Sequence, residues 1–196
     1  MSQSRSGGSS DARSQREKTK RYYGKYRGTV FSNVDPENRG RIQAIVPDVQ
    51  GITPTTFAMP CLPVAGKGSG TFFVPEIGSG VWIEFEQGDP DYPIWTGCFW
   101  GVTAELPELG IASPPPTPNM VLQTTGRNSI TIFGAPGNGL MLCAGLTADP
   151  TSPRVVITKA GIVLSCGPQN SIAITSAGIN ITGQPVNINV GALLIN

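Results

Sequence analysis

The stretch that decides the fold is residues 73–97, FVPEIGSGVWIEFEQGDPDYPIWTG. From Val81 to Phe85 every second residue is apolar, which is the period-two pattern of a β-strand with one buried face. Gly88-Asp89-Pro90-Asp91 then provides residues that are typical of a tight turn. Residues 93–97 return as a second strand. The stretch therefore predicts a β-hairpin that belongs to a small barrel.

The composition also favours an all-β protein. The 196 residues include 25 Gly and 18 Pro, and only 14% of them are charged. Gly and Pro interrupt helices but suit the turns between short strands. Candidate strands lie at roughly 22–31, 39–46, 57–65, 80–86 and 93–99, and five such strands predict a Greek-key barrel of the OB type.

Changes in composition divide the chain into four segments. We predict a flexible basic arm over residues 1–21, an OB-fold collar over 22–101, a Pro-rich neck over 102–118 and a separate β-rich domain over 119–196. Charge follows nearly the same borders, because the net charge is +6 for residues 1–27, −7 for 28–118 and +2 for 119–196. The arm contains too little apolar surface to fold alone, and it lacks the apolar core of a secretory signal peptide.

Apolar pairs separated by one residue dominate residues 119–196. They are Ile130/Ile132, Leu140/Leu142, Val155/Ile157, Ile162/Leu164, Ile172/Ile174, Ile179/Ile181, Val186/Ile188 and Leu193/Ile195. Residues 155–162 also align with residues 172–179 at an offset of 17. This alignment predicts an internal repeat of two short strands and two turns.

A single sheet of such strands would leave a narrow apolar face and long unpaired edges. Three identical chains wrapped around one axis would cover the face and pair the edges, so we predict a trimer. Its inward core residues are Val155, Ile157, Ile162, Leu164, Ile172, Ile174, Ile179, Ile181, Val186 and Ile188. A single-chain β-solenoid is the alternative, although it usually needs longer coils to enclose its own core.

Basic and aromatic residues alternate just before the predicted barrel. They are Lys20, Arg21, Tyr22, Tyr23, Lys25, Tyr26 and Arg27. In an OB fold this pattern is compatible with stacking and phosphate contacts, so a single-stranded nucleic-acid-binding protein with a low-complexity β tail is the alternative function. The acidic residues of the hairpin would repel phosphate. We therefore predict that these seven residues dock a protein partner and that the chain binds no nucleic acid.

The sequence offers no convincing catalytic or metal site. It contains no histidine, and Cys61, Cys98, Cys143 and Cys166 lack C-x-x-C spacing, so neither a zinc site nor a catalytic triad is indicated. We expect four free, buried thiols. Gly66-Lys67-Gly68-Ser69-Gly70 lacks the spacing of a phosphate-binding loop and is predicted to be a hairpin loop. We therefore expect no enzyme activity, no cofactor and no metal.

The order of these motifs resembles the family of phage baseplate assembly protein V and the VgrG spikes. That family has a P-x-x-G-x-x-V strand, then G-D-P-D-x-P and a closing Gly, which here begin at Pro75 and Gly88 and end at Gly97. Further matches are Tyr26-Arg27-Gly28-Thr29-Val30, Asp35-Pro36, Gly40-Arg41-Ile42, Val46-Pro47, Pro60-Cys61-Leu62-Pro63-Val64-Ala65 and residues 70–75. Residues 89–101 are particularly similar to spikes of phage-tail-like contractile injection systems.

The resemblance implies a structural central spike with an intertwined trimeric β-helix needle after the collar. Such a homotrimer is made in the cytoplasm, forms part of a phage-tail-like particle and punctures the target membrane, with transient contact, when the sheath contracts. A baseplate hub or tail-tube protein would bind at its N-terminal side. The chain lacks the His-x-His iron apex of some phage spikes and the hub domains of VgrG, so we expect a separate PAAR-like tip protein to bind Leu193, Leu194 and Ile195.

Overall fold

The computed structural model of the protein describes residues 20–113 and 115–183. The chain forms two compact units, which meet in sequence at Gly101 and Val102. Val186, Ile188, Leu193, Leu194, Ile195 and residues 1–19 lie outside the described residues.

Residues 20–101 of the first unit form seven strands. They are β1 (Tyr26–Ser32), β2 (Gln43–Ile45), β3 (Met59–Pro60), β4 (Ala65–Gly66), β5 (Ser69–Gly70), β6 (Gly80–Phe85) and β7 (Pro93–Phe99). A helical turn, α1, covers Pro47–Gln50, and a 3₁₀ turn covers Glu86–Gly88. Five strands form one sheet in the order β2-β1-β6-β7-β3, in which only β3 and β7 run parallel.

Backbone hydrogen bonds next to β2 and β3 close this sheet into a barrel. The Ile42 N–H donates to the Ala58 carbonyl at 3.2 Å, and the Ala58 N–H donates back to Ile42 at 2.7 Å. The Thr55 N–H donates to the Ala44 carbonyl at 2.8 Å. The two outer strands of the sheet are thus joined, which gives the five-stranded Greek-key barrel of an OB fold. The all-β class and the OB barrel predicted from the sequence are confirmed.

The inward-facing residues of the barrel form its core. They are Val30, Ile42, Ala44, Val46, Ala58, Val81, Ile83, Phe85 and Trp95. The predicted alternation in β6 is observed, because Val81, Ile83 and Phe85 are buried while the residues between them are half-buried. The Trp95 indole N–H donates to the Gly40 carbonyl at 3.1 Å, so the one polar atom of this buried ring is satisfied.

Two strands of the collar are shorter than predicted. The predicted strands 39–46 and 57–65 pair as strands only over Gln43–Ile45 and Met59–Pro60. Pro47, Pro60 and Pro63 have no N–H to donate, which limits the ladder in this region. The hairpin loop predicted for residues 66–70 is observed, because β4 and β5 form a small hairpin with Lys67 and Gly68 at its turn.

In the second unit, the described residues 102–113 and 115–183 form a 3₁₀ turn at Thr103–Glu105, helix α2 at Glu108–Ile111 and seven strands. The strands are β8 (Met120–Gln123), β9 (Ser129–Ile132), β10 (Leu140–Cys143), β11 (Arg154–Thr158), β12 (Gly161–Ser165), β13 (Ser171–Thr175) and β14 (Gly178–Thr182). Each strand pairs antiparallel with the next along the chain. Over residues 115–183 this meander differs from the coils of a single-chain solenoid.

The predicted repeat corresponds to two consecutive hairpins. Strands β11 and β12 begin and end 17 residues before β13 and β14, respectively. The turns also match, because the Thr158 hydroxyl accepts the Ala160 N–H at 3.1 Å and the Thr175 hydroxyl accepts the Ala177 N–H at 3.2 Å. The repeat therefore preserves both the strands and the turn chemistry.

The four cysteines are free, but the expectation that all are buried is wrong. Only Cys143 is buried, while Cys61, Cys98 and Cys166 are exposed. Cys61 and Cys166 directly follow β3 and β12, and Cys98 is the second-last residue of β7, so all three lie at strand ends. No helix in the described ranges is long and apolar enough to cross a membrane.

Asp35 organises the loop between β1 and β2. One carboxylate oxygen accepts the backbone N–H groups of Arg39 (2.7 Å) and Arg41 (3.2 Å). The other accepts the Glu37 N–H (3.0 Å) and two N–H groups of the Arg41 side chain (2.7 and 3.0 Å). The Arg41 guanidinium and these backbone donors hold the pKa of Asp35 well below its usual range.

Replacing Asp35 with Asn is expected to lower the melting temperature of the collar by several degrees at pH 7, because the charged acceptor is lost. A carboxyl group whose folded pKa is depressed contributes its full stabilisation above its unfolded pKa of about 4 and loses it progressively as pH falls from there toward the lower folded pKa. The difference between wild type and Asp35→Asn should therefore shrink between pH 7 and pH 3 when thermal unfolding is followed by circular dichroism.

Glu37→Gln is the matched control, because the Glu37 side chain is exposed and its ion pair with the exposed Arg39 is screened by water, while Arg41 keeps its contacts with Asp35. This variant should melt close to wild type at both pH values. An Asp35→Asn collar as stable as wild type at pH 7 would contradict the role given to Asp35.

Candidate functional site

One face of the C-terminal sheet carries two uninterrupted rows of aliphatic side chains. The first row follows the cross-strand pairs Met120, Ile132, Leu140, Ile157, Ile162, Ile174 and Ile179. The second follows Leu122, Ile130, Leu142, Val155, Leu164, Ile172 and Ile181. We call these fourteen residues the apolar face. Every strand from β8 to β14 contributes one residue to each row.

In the isolated chain most of the apolar face is open to solvent. Exposure ranges from 37% for Ile157 to 67% for Ile179 and 70% for Met120, while Leu140, Val155 and Ile162 are half-buried. Monomeric soluble proteins rarely expose a contiguous apolar surface of this extent. The face is therefore suited to burial against other protein surface.

The opposite face of the sheet has a different character. Its central row runs through Val121, Thr131, Met141, Val156, Val163, Ala173 and Asn180. Thr131 and Met141 are buried here, and Asn180 at the β14 edge is exposed. The small core of this unit therefore lies behind β9 and β10, on the side away from the apolar face.

Eight of the ten predicted trimer-core residues lie on the apolar face, and Val186 and Ile188 lie outside the described residues. The structure adds six residues to the set: Met120, Leu122, Ile130, Ile132, Leu140 and Leu142. Four of the six were visible as apolar pairs in the sequence. Met120 and Leu122 show the same spacing one strand earlier, so the same signal could have revealed them.

The predicted docking residues at the N-terminal side largely contact the collar itself. Arg21 pairs with Asp89 at 2.8 Å, and the Tyr22 N–H donates to the Gly88 carbonyl at 2.8 Å. Lys25 donates to Glu84 at 2.7 Å and to the Thr96 hydroxyl at 2.9 Å. These contacts fasten the basic segment to the acidic β6–β7 hairpin.

The aromatic residues of the segment pack on the same hairpin. The rings of Tyr22 and Tyr26 lie 6.0 and 5.7 Å from that of Phe85, and 5.9 Å from each other. The Lys20 ammonium lies 4.9 Å from the Tyr22 ring centre, and the Tyr23 ring remains 72% exposed. Most of the alternating basic and aromatic residues therefore contact the collar of their own chain.

Two family models match the chain over these two units. Residues 26–100 match the type VI secretion system/phage-baseplate injector OB domain. Residues 119–194 match the phage baseplate V C-terminal trimerisation domain. No curated protein matches the chain significantly.

The chain belongs to the phage baseplate V family. It is therefore a structural baseplate protein of a phage or tail-like particle, and its C-terminal unit is a trimerisation domain. Both matched domains are structural. In the part of the chain that the structure describes, no group of three or more His, Cys, Asp or Glu side chains could hold a metal ion.

Gly161 keeps β12 and β13 in register within this domain. Its φ is +153°, and a Cβ atom there would overlap the Ile174 carbonyl oxygen. Gly161→Ala is expected to lower the free energy of unfolding by about 3 kcal/mol or more, because backbone strain of roughly 1–3 kcal/mol adds to that overlap. Chemical denaturation of the trimer would measure the loss.

Gly167→Ala provides the comparison, because Gly167 also has a positive φ (+74°) but a Cβ there meets no atom within 4 Å among the described residues. It should cost only about 1–2 kcal/mol of left-handed strain. Equal losses in the two variants would show that close strand approach at Gly161 is unimportant.

Proposed function

We propose that the protein is the central spike of a contractile, phage-tail-like particle. Three chains bring their apolar faces together around one axis to form an intertwined β-helical needle, and sheath contraction drives this needle through the target envelope. The observation that carries the proposal is the pair of unbroken aliphatic rows across the seven described strands, β8 to β14, of a trimerisation domain. Envelope contact is transient and mechanical, and no bond is cleaved.

The apolar face supplies the driving force for assembly. Complete burial of one Ile, Leu, Val or Met side chain contributes about 1.5–3 kcal/mol. Each of the fourteen side chains is already partly covered, so its individual gain is smaller, but forty-two of them would meet in a trimer. The aliphatic cross-strand pairs follow one another from β8 to β14 without a polar residue between them. The core that three such faces form would therefore be continuous along the axis.

The strand arrangement of the C-terminal sheet is suited to a needle that must resist compression. Neighbouring strands lie about 4.8 Å apart, so β8 to β14 extend roughly 30 Å along the sheet. In the proposed needle the strands lie across the trimer axis. The hydrogen bonds between neighbouring strands then run along that axis, so a compressive force acts on many of these bonds together. A packed aliphatic core resists buckling because protein interiors have low compressibility.

Ile174→Asp tests the proposal, because it places three carboxylates around one axis inside an apolar core. Unpaired buried charge costs on the order of several kcal/mol per site, so the variant should dissociate or melt far below wild type. Sedimentation velocity measures the oligomer, and calorimetry measures its stability.

Asn180→Asp is the matched control, because Asn180 lies on the opposite, exposed face of the adjacent strand and pairs with Ala173. This control should remain trimeric with nearly unchanged stability. An Ile174→Asp trimer with the stability of wild type would refute the inward orientation of the apolar face.

The N-terminal arm is proposed to attach the collar to a baseplate hub or tail-tube protein with an acidic surface. Arg21 and Lys25 already pair within the collar, so residues 1–19 and the exposed Tyr23 carry more of this role than the other six predicted residues. Deleting residues 1–19 should leave a folded trimer that enters particles less efficiently, as measured by quantitative mass spectrometry of purified particles.

Salt provides the control for the arm. Wild-type incorporation should fall as ionic strength rises, since exposed charges are screened, whereas the truncated chain should start lower and respond less. Undiminished incorporation of the truncated chain would exclude docking through the arm.

A PAAR-like protein is proposed to cap the needle through Leu193, Leu194 and Ile195. The three consecutive apolar residues support this proposal, because aliphatic side chains are stabilised by burial against another protein. Open strand edges with apolar side chains recruit further pairing. Removing residues 191–196 should abolish co-sedimentation of a PAAR-like protein with the trimer, and retained co-sedimentation would place the cap elsewhere.

A further inference from the structure

Arg27 differs from the other described arginines of the collar in its partners. Arg21, Lys25, Arg39 and Arg41 each contact a carboxylate at 2.7–2.9 Å. The Arg27 guanidinium instead has no carboxylate within 4.0 Å among the described residues. It lies over two aromatic rings, 4.8 Å from the centre of Trp82 and 4.7 Å from that of Phe99.

Strand pairing fixes this stack in place. Arg27 on β1 is the cross-strand partner of Trp82 on β6, and the ring centres of Trp82 and Phe99 are 5.0 Å apart. A guanidinium stacked on rings keeps its N–H groups at the rim, where they can bind a planar carboxylate with two hydrogen bonds. Arg27 is exposed, so these donors face solvent.

The composition of this surface is typical of a protein contact. Trp and Arg are enriched among residues that carry most of the binding energy at interfaces, and aromatic residues are enriched at interface centres. The rigid stack loses little conformational entropy on binding, because strand pairing and ring contacts already hold it. An arginine that is held on such a surface without an acidic partner in its own chain is free to bind a carboxylate of a second chain.

A second copy of this chain fits that requirement. The trimerisation domain follows the collar after a connector of only 17 residues (102–118), which holds three collars at high effective concentration. Residues 28–118 carry a net charge of −7. The carboxylates of Asp48, Glu86 and Asp91 have no cation within 4.0 Å in the described part of the collar.

We propose that Arg27, Trp82 and Phe99 of one collar pack against the next collar of the trimer, where Arg27 binds a carboxylate of the neighbour. Such contacts are heterologous, since a cationic patch meets an acidic one, and three of them close a ring. The inference rests on the trimer of the proposed function. It adds a collar ring that is held by charge and aromatic packing, separate from the aliphatic needle.

Acrylamide quenching of tryptophan fluorescence tests the ring in the full-length trimer. A Trp100→Phe background leaves Trp82 as the accessible tryptophan, because Trp95 is only 6% exposed. Because Arg27 also covers Trp82 within its own chain, Arg27→Glu should raise the quenching of Trp82 more in the trimer than the same change does in the dissociated Ile174→Asp chain, while sedimentation still reports a trimer. Lys67→Glu makes the same change of charge in the β4–β5 turn. In this variant the quenching of Trp82 should equal that of the Trp100→Phe chain.

Further variants separate charge from packing and identify the neighbour's carboxylate. Arg27→Met keeps an aliphatic stem over the rings, so circular dichroism should report a folded collar while the quenching still rises. In the Arg27→Glu chain, one of Asp48→Lys, Glu86→Lys or Asp91→Lys should restore protection of Trp82.

The outcomes also distinguish this inference from the proposed function. A trimer in which Arg27→Glu and wild type quench equally would overturn the collar ring and leave the spike intact. Arg27 could instead protect Trp82 only after another baseplate protein is added. That result would also overturn the collar ring, because the partner of Arg27 would then be a different protein. A wild-type chain that sediments as a monomer would contradict the spike itself.

Discussion

The cross-strand register of the C-terminal sheet is the constraint on which the trimerisation domain depends. Side chains alternate between the two faces of a strand, so a slip of one residue would move a whole aliphatic row to the other side. The register is the same in all six strand pairings from β8–β9 to β13–β14, so each pair from Met120–Ile132 to Ile174–Ile179 keeps its side chains on one face. Gly161 contributes by allowing β13 to approach closely. The apolar face therefore exists because local turn geometry and pairing agree along the whole meander.

The collar depends on different physics. Its barrel closes through short backbone bridges between Ile42 and Ala58, and its interior is filled by branched aliphatic side chains and Trp95. Its loops are held by charge, as in the Asp35 cluster and the Arg21–Asp89 pair. An electrostatically organised collar followed by an aliphatic trimerisation domain matches the sequence charge pattern, in which acids are concentrated before residue 119.

The sequence was most informative where a pattern directly reflects backbone geometry. Alternation from Val81 to Phe85 predicted the central hairpin, and the 17-residue offset predicted two equivalent hairpins with their turns. The strand ends at Gln43 and Pro60 were not predictable to the residue, because prolines and long-range bridges decide them. The role of the segment Lys20–Arg27 was also not evident, since sequence alone does not reveal that Glu84 and Asp89 lie beside Lys25 and Arg21.

The 17-residue repeat has a consequence for how such a molecule can change in size. One repeat contains two antiparallel strands, so the chain returns to the side from which it started and the following segment keeps its orientation. Duplication of one repeat would lengthen the sheet by about 10 Å without inverting any later side chain. An insertion that adds a single strand would instead reverse the chain's direction for everything that follows. Length in this architecture can therefore evolve in discrete steps of whole hairpins, each step preserving the continuity of both aliphatic rows.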